Sequence, residues 1–145
     1  MDITYYTIID HNGCYITDVW GCTMKKYILI VEDNTSTLFI QKTLMENLGC
    51  KVDCAETGEI AVDLFERNTY DLILMDIGLP GMDGIEATHQ IRAYEQAKRL
   101  PLTPIVAVTA ESDPVQHEQY IAAGMKEVST KPFTLEAAQY ILLCT

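Results

Sequence analysis

The sequence predicts an α/β protein in which a parallel sheet is wound on both faces by helices. Three observations carry this reading. From Tyr27 onward, short apolar runs alternate with helix-patterned segments in five β-then-α units. That alternation requires a parallel sheet with right-handed crossovers. The apolar run Leu72-Ile73-Leu74-Met75 leads straight into the carboxylate of Asp76 and then into Ile77-Gly78-Leu79-Pro80-Gly81. A run so short and so apolar reads as a strand buried on both faces. Polar groups also stand at the ends of other such runs, and open parallel sheets bind ligands just outside their strands' carboxyl ends. Taken alone, Asp76 serves equally as a turn cap or as a ligand-facing acid.

The elements follow in order. Residues 1–23 stand apart as an N-terminal extension, either a hairpin or a disordered segment, and residues 24–145 form the domain proper. Within the extension, Ile3–Ile9 and Cys14–Trp20 flank Asp10-His11-Asn12-Gly13, whose Asn-Gly step signals a hairpin turn. Tyr27–Val31 is a buried-type strand ending in Glu32-Asp33-Asn34. Residues Asn34 to Ser36 supply N-cap chemistry for a helix with Leu38, Leu44, Met45 and Leu48 near one face, and Gly49 ends it. Lys51–Ala55 alternates in character and suits an edge strand. Thr57-Gly58-Glu59 opens a helix through Ile60, Ala61, Leu64 and Phe65 that ends near Arg67-Asn68.

After the Asp71–Asp76 strand, Asp83-Gly84 starts a long helix reaching Lys98, with Ile85, Thr88, Ile91 and Arg92 at helical spacing and His89 toward solvent. Leu100–Pro104 is a proline-punctuated loop. The next buried strand, Pro104–Ala110, ends on the hydroxyl of Thr109. Glu111-Ser112-Asp113-Pro114 turns into a helix that runs to Ala123 and stops at Gly124. Lys126–Thr130 is the fifth strand and ends at Lys131-Pro132, where proline forbids helix continuation and holds the lysine at the strand end. Thr134–Cys144 is the last helix, with Ala137, Ala138, Ile141 and Leu142 on its buried side.

Composition narrows the function classes. A chain of 145 residues suits one domain and at that size buries roughly 70% of its unfolded surface without staples. Ten Lys+Arg against 21 Asp+Glu give a formal charge of -11, which disfavours nucleic acid, because binding to phosphate backbones rests on cations. No apolar run approaches the roughly 18 residues of a membrane span, and no secretory signal is evident. The five cysteines match no zinc spacing; free thiols in a reducing cytoplasm are expected.

Strand ends thus gather Glu32/Asp33, Asp76, Thr109 and Lys131 at one edge. Three carboxylates in one cleft repel one another, and a bound Mg²⁺ relieves that repulsion. Mg²⁺ takes oxygen ligands and keeps several waters, using one or two carboxylates plus phosphate oxygens. Asp33 and Asp76 are candidate direct ligands, Glu32 acts directly or through water, and the Gly78 backbone carbonyl completes the protein's share. A carboxylate can accept a phosphoryl group as an aspartyl-phosphate, with Lys131 neutralising charge on the transferring oxygens and Thr109 hydrogen-bonding one of them.

Residues Lys25–Thr145 resemble the receiver domain of two-component response regulators. Glu32-Asp33 matches the family's acidic pair, Asp76 within Met75–Gly84 its phosphoacceptor, Thr109-Ala110 its switch hydroxyl and small neighbour, and Lys131-Pro132 its lysine and often-cis proline. The resemblance implies a flavodoxin-like five-stranded sheet of order 2-1-3-4-5. It implies Mg²⁺-dependent phosphorylation of Asp76 by a histidine kinase or histidine phosphotransfer protein in a bacterial cytoplasm. Intrinsic autophosphorylation and autodephosphorylation are implied as the only catalysis. It further implies a remodelled face made by the fourth helix, fifth strand and fifth helix, through which such domains also form homodimers. Val128 departs from the family's usual aromatic at the switch position, and Gly78 and Glu111 occupy positions that tune phosphoryl lifetime.

Three rivals stand beside this reading. An Asp-nucleophile phosphohydrolase usually carries a second acid where this chain has Gly78. A flavodoxin-type FMN module needs a hydroxyl-rich phosphate loop where this chain has Glu32-Asp33-Asn34. A pseudo-receiver that only binds partners would not need the full set of site residues.

Overall fold

The structure is a computed structural model and describes residues 8–9, 15–16, 26–110 and 113–145. Short strands β1 (Ile8–Ile9) and β2 (Tyr15–Ile16) pair antiparallel, with Ile8 opposite Ile16. This is the pairing the hairpin reading requires; the expected turn at Asp10–Gly13 lies outside the described residues.

The main sheet contains β3 (Tyr27–Val31), β4 (Lys51–Ala55), β5 (Leu72–Asp76), β6 (Ile105–Thr109) and β7 (Glu127–Thr130). Its order is β4-β3-β5-β6-β7, and every neighbouring pair is parallel. Counted within this sheet, the order is the expected 2-1-3-4-5, and β4 is the edge strand that its alternation predicts. The helices between are α1 (Thr35–Asn47), α2 (Gly58–Arg67), α3 (Gly84–Lys98), α4 (Pro114–Ala122) and α5 (Leu135–Cys144).

Strand periodicity sorts the core into two layers. Leu29, Val31, Ile73 and Met75 point to one face, where Ala61 and Phe65 of α2, Ala87 and Ile91 of α3 and Tyr120 of α4 cover them. Ile28, Ile30, Leu72 and Leu74 point to the other, against Met45 of α1 and Ala138 and Ile141 of α5. Because both faces are covered, β5 and β6 are buried at all five positions. That is why these strands read as unbroken apolar runs rather than alternating ones.

The caps match their sequence signals. Asn34, Thr57, Asp83 and Thr134 each accept the backbone N–H three residues on, as N-caps do. Gly49 and Gly124 follow helix ends in the left-handed region, at φ 88° and 109°. The end of α3 uses Arg99 there instead, at φ 54°. On α1 the expected apolar face is mixed: Leu38, Leu44 and Leu48 are half-buried, while Gln41 joins Met45 as a buried residue. A polar side chain at that helical position gives no sign of burial in the sequence.

The parallel register sets where the site lies. Val31 aligns with Met75, Asp76 with Val108, and Thr109 with Thr130. The residues just beyond these positions therefore emerge at one edge of the sheet. At that edge Gly84 makes room for the chain: a Cβ there would stand 2.5 Å from the Asp76 carbonyl oxygen.

Candidate functional site

One cleft of ≈ 430 Å³ opens at the carboxyl ends of β3, β5, β6 and β7. Glu32, Asp33, Asp76, Gly78, Thr109 and Lys131, all the candidates drawn from the sequence, line it together. Asn34, Thr37, Ile77, Ala110 and Tyr120 complete the described wall. Glu111 lies outside the described residues.

The carboxylates of Glu32, Asp33 and Asp76 bring oxygens within 4.8 Å of one another. Glu32 and Asp76 are 1% and 5% exposed, whereas Asp33 faces solvent. Lys131 is the counter-charge. Its Nζ stands 3.0 Å from Glu32 Oε2 and donates to Asp76 Oδ1 at 3.3 Å. The Lys131–Pro132 peptide is cis.

Local backbone donors fix the acids. The Asn34 N–H donates to Glu32 Oε1 at 3.1 Å, and the Gly78 N–H donates to Asp76 Oδ1 at 3.3 Å. Burial pushes the Glu32 carboxyl above its ordinary pKa, and the nearby Asp76 charge pushes the same way; Lys131 and the Asn34 N–H oppose but do not cancel this. For Lys131, burial acts downward, but the Glu32 hydrogen bond and the charges of Asp76 and Glu32 outweigh it, leaving the ammonium above its ordinary value.

The donor set fits a hard divalent cation. Three carboxylates with one ammonium leave excess negative charge. Glu32 Oε2 is buried beside the Lys131 ammonium at 3.0 Å, which it shares with Asp76. Oxygen ligands and carboxylates in excess of their counter-charge are what Mg²⁺ takes, with waters filling the remaining positions.

Of the added wall residues, Asn34, Ile77 and Ala110 adjoin the candidates in sequence, whereas Thr37 and Tyr120 do not. Thr37 lies on the first turn of α1, close in sequence to the acidic pair. Tyr120 lies on α4, and its place in the sequence gives no sign that it reaches the strand ends.

A parallel five-stranded sheet carrying an acid triad, a lysine and a hydroxyl at its carboxyl edge defines a receiver module. The chain belongs to the response regulator receiver domain family, whose model matches residues 28–142. Such domains are the phosphoacceptors of two-component phosphorelays. The chain is 38% identical over 119 residues to the sensor protein GacS of Pseudomonas syringae pv. syringae, a match that covers 81% of this chain and 13% of that protein. The chain thus spans a small part of this curated relative.

Two solved structures align closely. The receiver domain of sensor histidine kinase PA1611 from Pseudomonas aeruginosa PAO1 has a magnesium ion coordinated in its active-site cleft. It is 38% identical, with TM-score 0.74, covering 83% of this chain and 96% of that one. The receiver domain of Saccharomyces cerevisiae Ssk1, crystallised with the histidine phosphotransfer protein Ypd1, is 30% identical. Its TM-score is 0.74, covering 79% of this chain and 84% of that one.

Proposed function

We propose that Asp76 is the phosphoacceptor of this receiver domain and that its reaction is Mg²⁺-dependent. The observation that carries this is Lys131 Nζ at 3.3 Å from Asp76 Oδ1, beside two further carboxylates that together with Asp76 outnumber the one ammonium. An Asp76 oxygen attacks the phosphorus of a phosphohistidine. The P–N bond breaks as the acyl-phosphate P–O bond forms, and the imidazole departs with the electron pair and takes up a proton.

Within the cleft, Lys131 meets the charge on the transferring oxygens, and the Thr109 hydroxyl donates to one of them. Glu32, Asp33, Asp76 and the Gly78 carbonyl hold the cation. When bound, Mg²⁺ supplies charge neutralisation at the phosphoryl oxygens. Gly78 gives the loop no second acid, which disfavours a phosphohydrolase, and the complete residue set disfavours a pseudo-receiver. Catalysis is confined to the domain's own phosphorylation and dephosphorylation.

The donor is a histidine kinase or a histidine phosphotransfer protein. Beside Lys131 runs an apolar groove of ≈ 350 Å³ lined by Thr37, Ile40, Pro132 and Phe133. A helix bearing the phosphohistidine fits such a groove. Exposed Val115 and Ile121 on α4, and Leu135 and Tyr140 on α5, support homodimerisation through the α4-β7-α5 face. The setting is cytoplasmic; among the described residues no helix is long and apolar enough to cross a membrane. Residues 24–145 form the receiver domain, and residues 1–23 are an extension its folding does not need.

The test is incubation with Mg²⁺ and acetyl phosphate, followed by intact-mass measurement. The parent gains a phosphate adduct and Asp76→Asn does not. Equal labelling of both, or no labelling of the parent, would overturn the assignment.

A further inference from the structure

Helix α4 is anchored unlike its neighbours. Helix α1 buries Gln41 and Met45, α5 buries Ala138 and Ile141, and α2 and α3 bury more. Along α4, from Pro114 to Ala122, Tyr120 alone is buried. Its ring is 4% exposed and forms part of the cleft wall with Asp76, Thr109 and Lys131. It is the one aromatic ring among the described lining residues.

The two ends of this side chain have different partners. Its hydroxyl donates to Gln116 Oε1 at 3.2 Å, one turn back on α4. Its ring joins the apolar cluster that contains Ala107 of β6 and has half-buried Val128 of β7 packed against it. The hydroxyl therefore binds the helix to itself, and the ring binds the helix to the sheet.

The far end of α4 is fixed separately. Arg92 of α3 donates to the Gly124 carbonyl through Nε at 3.1 Å and Nη2 at 2.8 Å. Buried Glu95 holds that guanidinium at 2.6 Å. Ala123 and Met125, on either side of Gly124, are buried as well. The C-terminal junction of α4 is thus pinned, while the body of the helix rests on one ring in the cleft wall.

We propose that Tyr120 is the positioning residue through which the state of the cleft sets the placement of α4, with the Arg92–Gly124 junction as the fixed point. The proposal rests on Asp76 being the phosphoacceptor. A phosphoryl group on Asp76 adds volume and charge to the space the ring borders. The ring shifts, and α4 shifts with it because it has no other buried side chain to hold it. The hydroxyl, bonded within α4, is not required.

Amide hydrogen exchange across Pro114–Ala122 tests this in the full chain. Each protein is compared with itself, unlabelled and after labelling by acetyl phosphate and Mg²⁺, and intact mass gives the labelled fraction. A merely structural role for Tyr120 changes both states alike; coupling appears only in their ratio. In the parent and in Tyr120→Phe, labelling changes α4 exchange about threefold or more. In Tyr120→Leu the ratio falls to about one. Tyr120→Met, which keeps apolar length without a ring, gives the same answer should the leucine variant prove too unstable.

A parent-like ratio in both ringless variants overturns the proposal, as does a parent that labels without any α4 response. A parent that never labels defeats the Asp76 assignment, and the proposal falls with it. The mass measurement separates that outcome from the others.

Discussion

Lys131 Nζ and Asp76 Oδ1 stand 3.3 Å apart although 55 residues separate them in the chain. The pairing exists because β5 and β7 end at the same edge, with β6 between them. Lys131 also touches the Glu32 carboxylate at 3.0 Å. A single ammonium thus serves two buried acids. Replacing it with alanine leaves both acids without a cation and removes a charge-assisted donor from the transferring group. Labelling of Lys131→Ala by acetyl phosphate slows by on the order of 10²-fold, read by intact mass over time. A rate equal to the parent's would remove Lys131 from the chemistry.

Glu32 gives the site its pH dependence. Burial raises its folded pKa above the unfolded value. A raised pKa means that the folded state prefers the protonated acid. The resulting stability is fully present below the unfolded pKa and is lost as pH rises through the folded one. Mg²⁺ binding runs in the opposite direction, because only the ionised carboxylate ligates. The rise in Tm produced by a fixed Mg²⁺ concentration is therefore larger at neutral than at mildly acidic pH. In Glu32→Gln the rise is small and much less pH-dependent. Thermal melts with and without Mg²⁺ across that range measure both, and a pH-independent shift in the parent would contradict the argument.

The sheet and most of the site were legible for one reason: parallel topology makes strand ends converge. Asp76 and Thr109 each close an apolar run, and Lys131 is fixed at a strand end by the proline after it, so sequence position already implied spatial position. What escaped notice depends on helix rotation and loop closure. Glu95 reads as a surface acid on a long helix, yet it is 0% exposed because Arg92 and the Thr103 N–H reach it from two sides. Tyr120 reads as one apolar residue of α4, and only the path of the chain after Thr109 brings it to the cleft. Gln41 carries no mark of its burial, because a polar side chain on a helix reads as solvent-facing.

The Glu95 network makes a stability prediction. Its carboxylate accepts from Arg92 Nη1 and from the Thr103 N–H, each at 2.6 Å. Arg92→Leu leaves the acid buried without its counter-charge and frees the Gly124 carbonyl, costing about 3 kcal/mol or more. Glu95→Gln keeps an acceptor for one of the two donors and turns its amide nitrogen toward the other, but it leaves no unpaired carboxylate buried, and costs less. Urea denaturation compares the two. If Arg92→Leu proved the milder change, the ion pair would not be what holds this corner.

Gln41 predicts the opposite sign. It is 1% exposed, and its Nε2 has no hydrogen-bond acceptor. An unsatisfied buried donor costs about 1–3 kcal/mol. The helix packs its Met45 against the apolar layer of Ile28 and Ile30, so an apolar group of similar size suits the position. Gln41→Met raises stability by about 1 kcal/mol, a Tm gain of a few degrees at this chain length. A lower Tm would mean that the amide is satisfied in solution.

Ile40 separates partner docking from chemistry. It lines the groove beside Lys131 and is 51% exposed, and its neighbour Phe39 is 70% exposed. Two large apolar side chains presented to solvent next to a reactive cleft mark a surface that a partner covers. A small phosphodonor reaches Asp76 without touching that surface, whereas a protein donor docked in the proposed groove lies across it. Ile40→Glu therefore leaves labelling by acetyl phosphate near the parent rate. The same variant slows transfer from a phosphorylated histidine phosphotransfer protein that labels the parent, by roughly tenfold if Ile40 is a central contact. Equal slowing with both donors would place the defect in the cleft, and no slowing with the protein donor would exclude this face as its docking site.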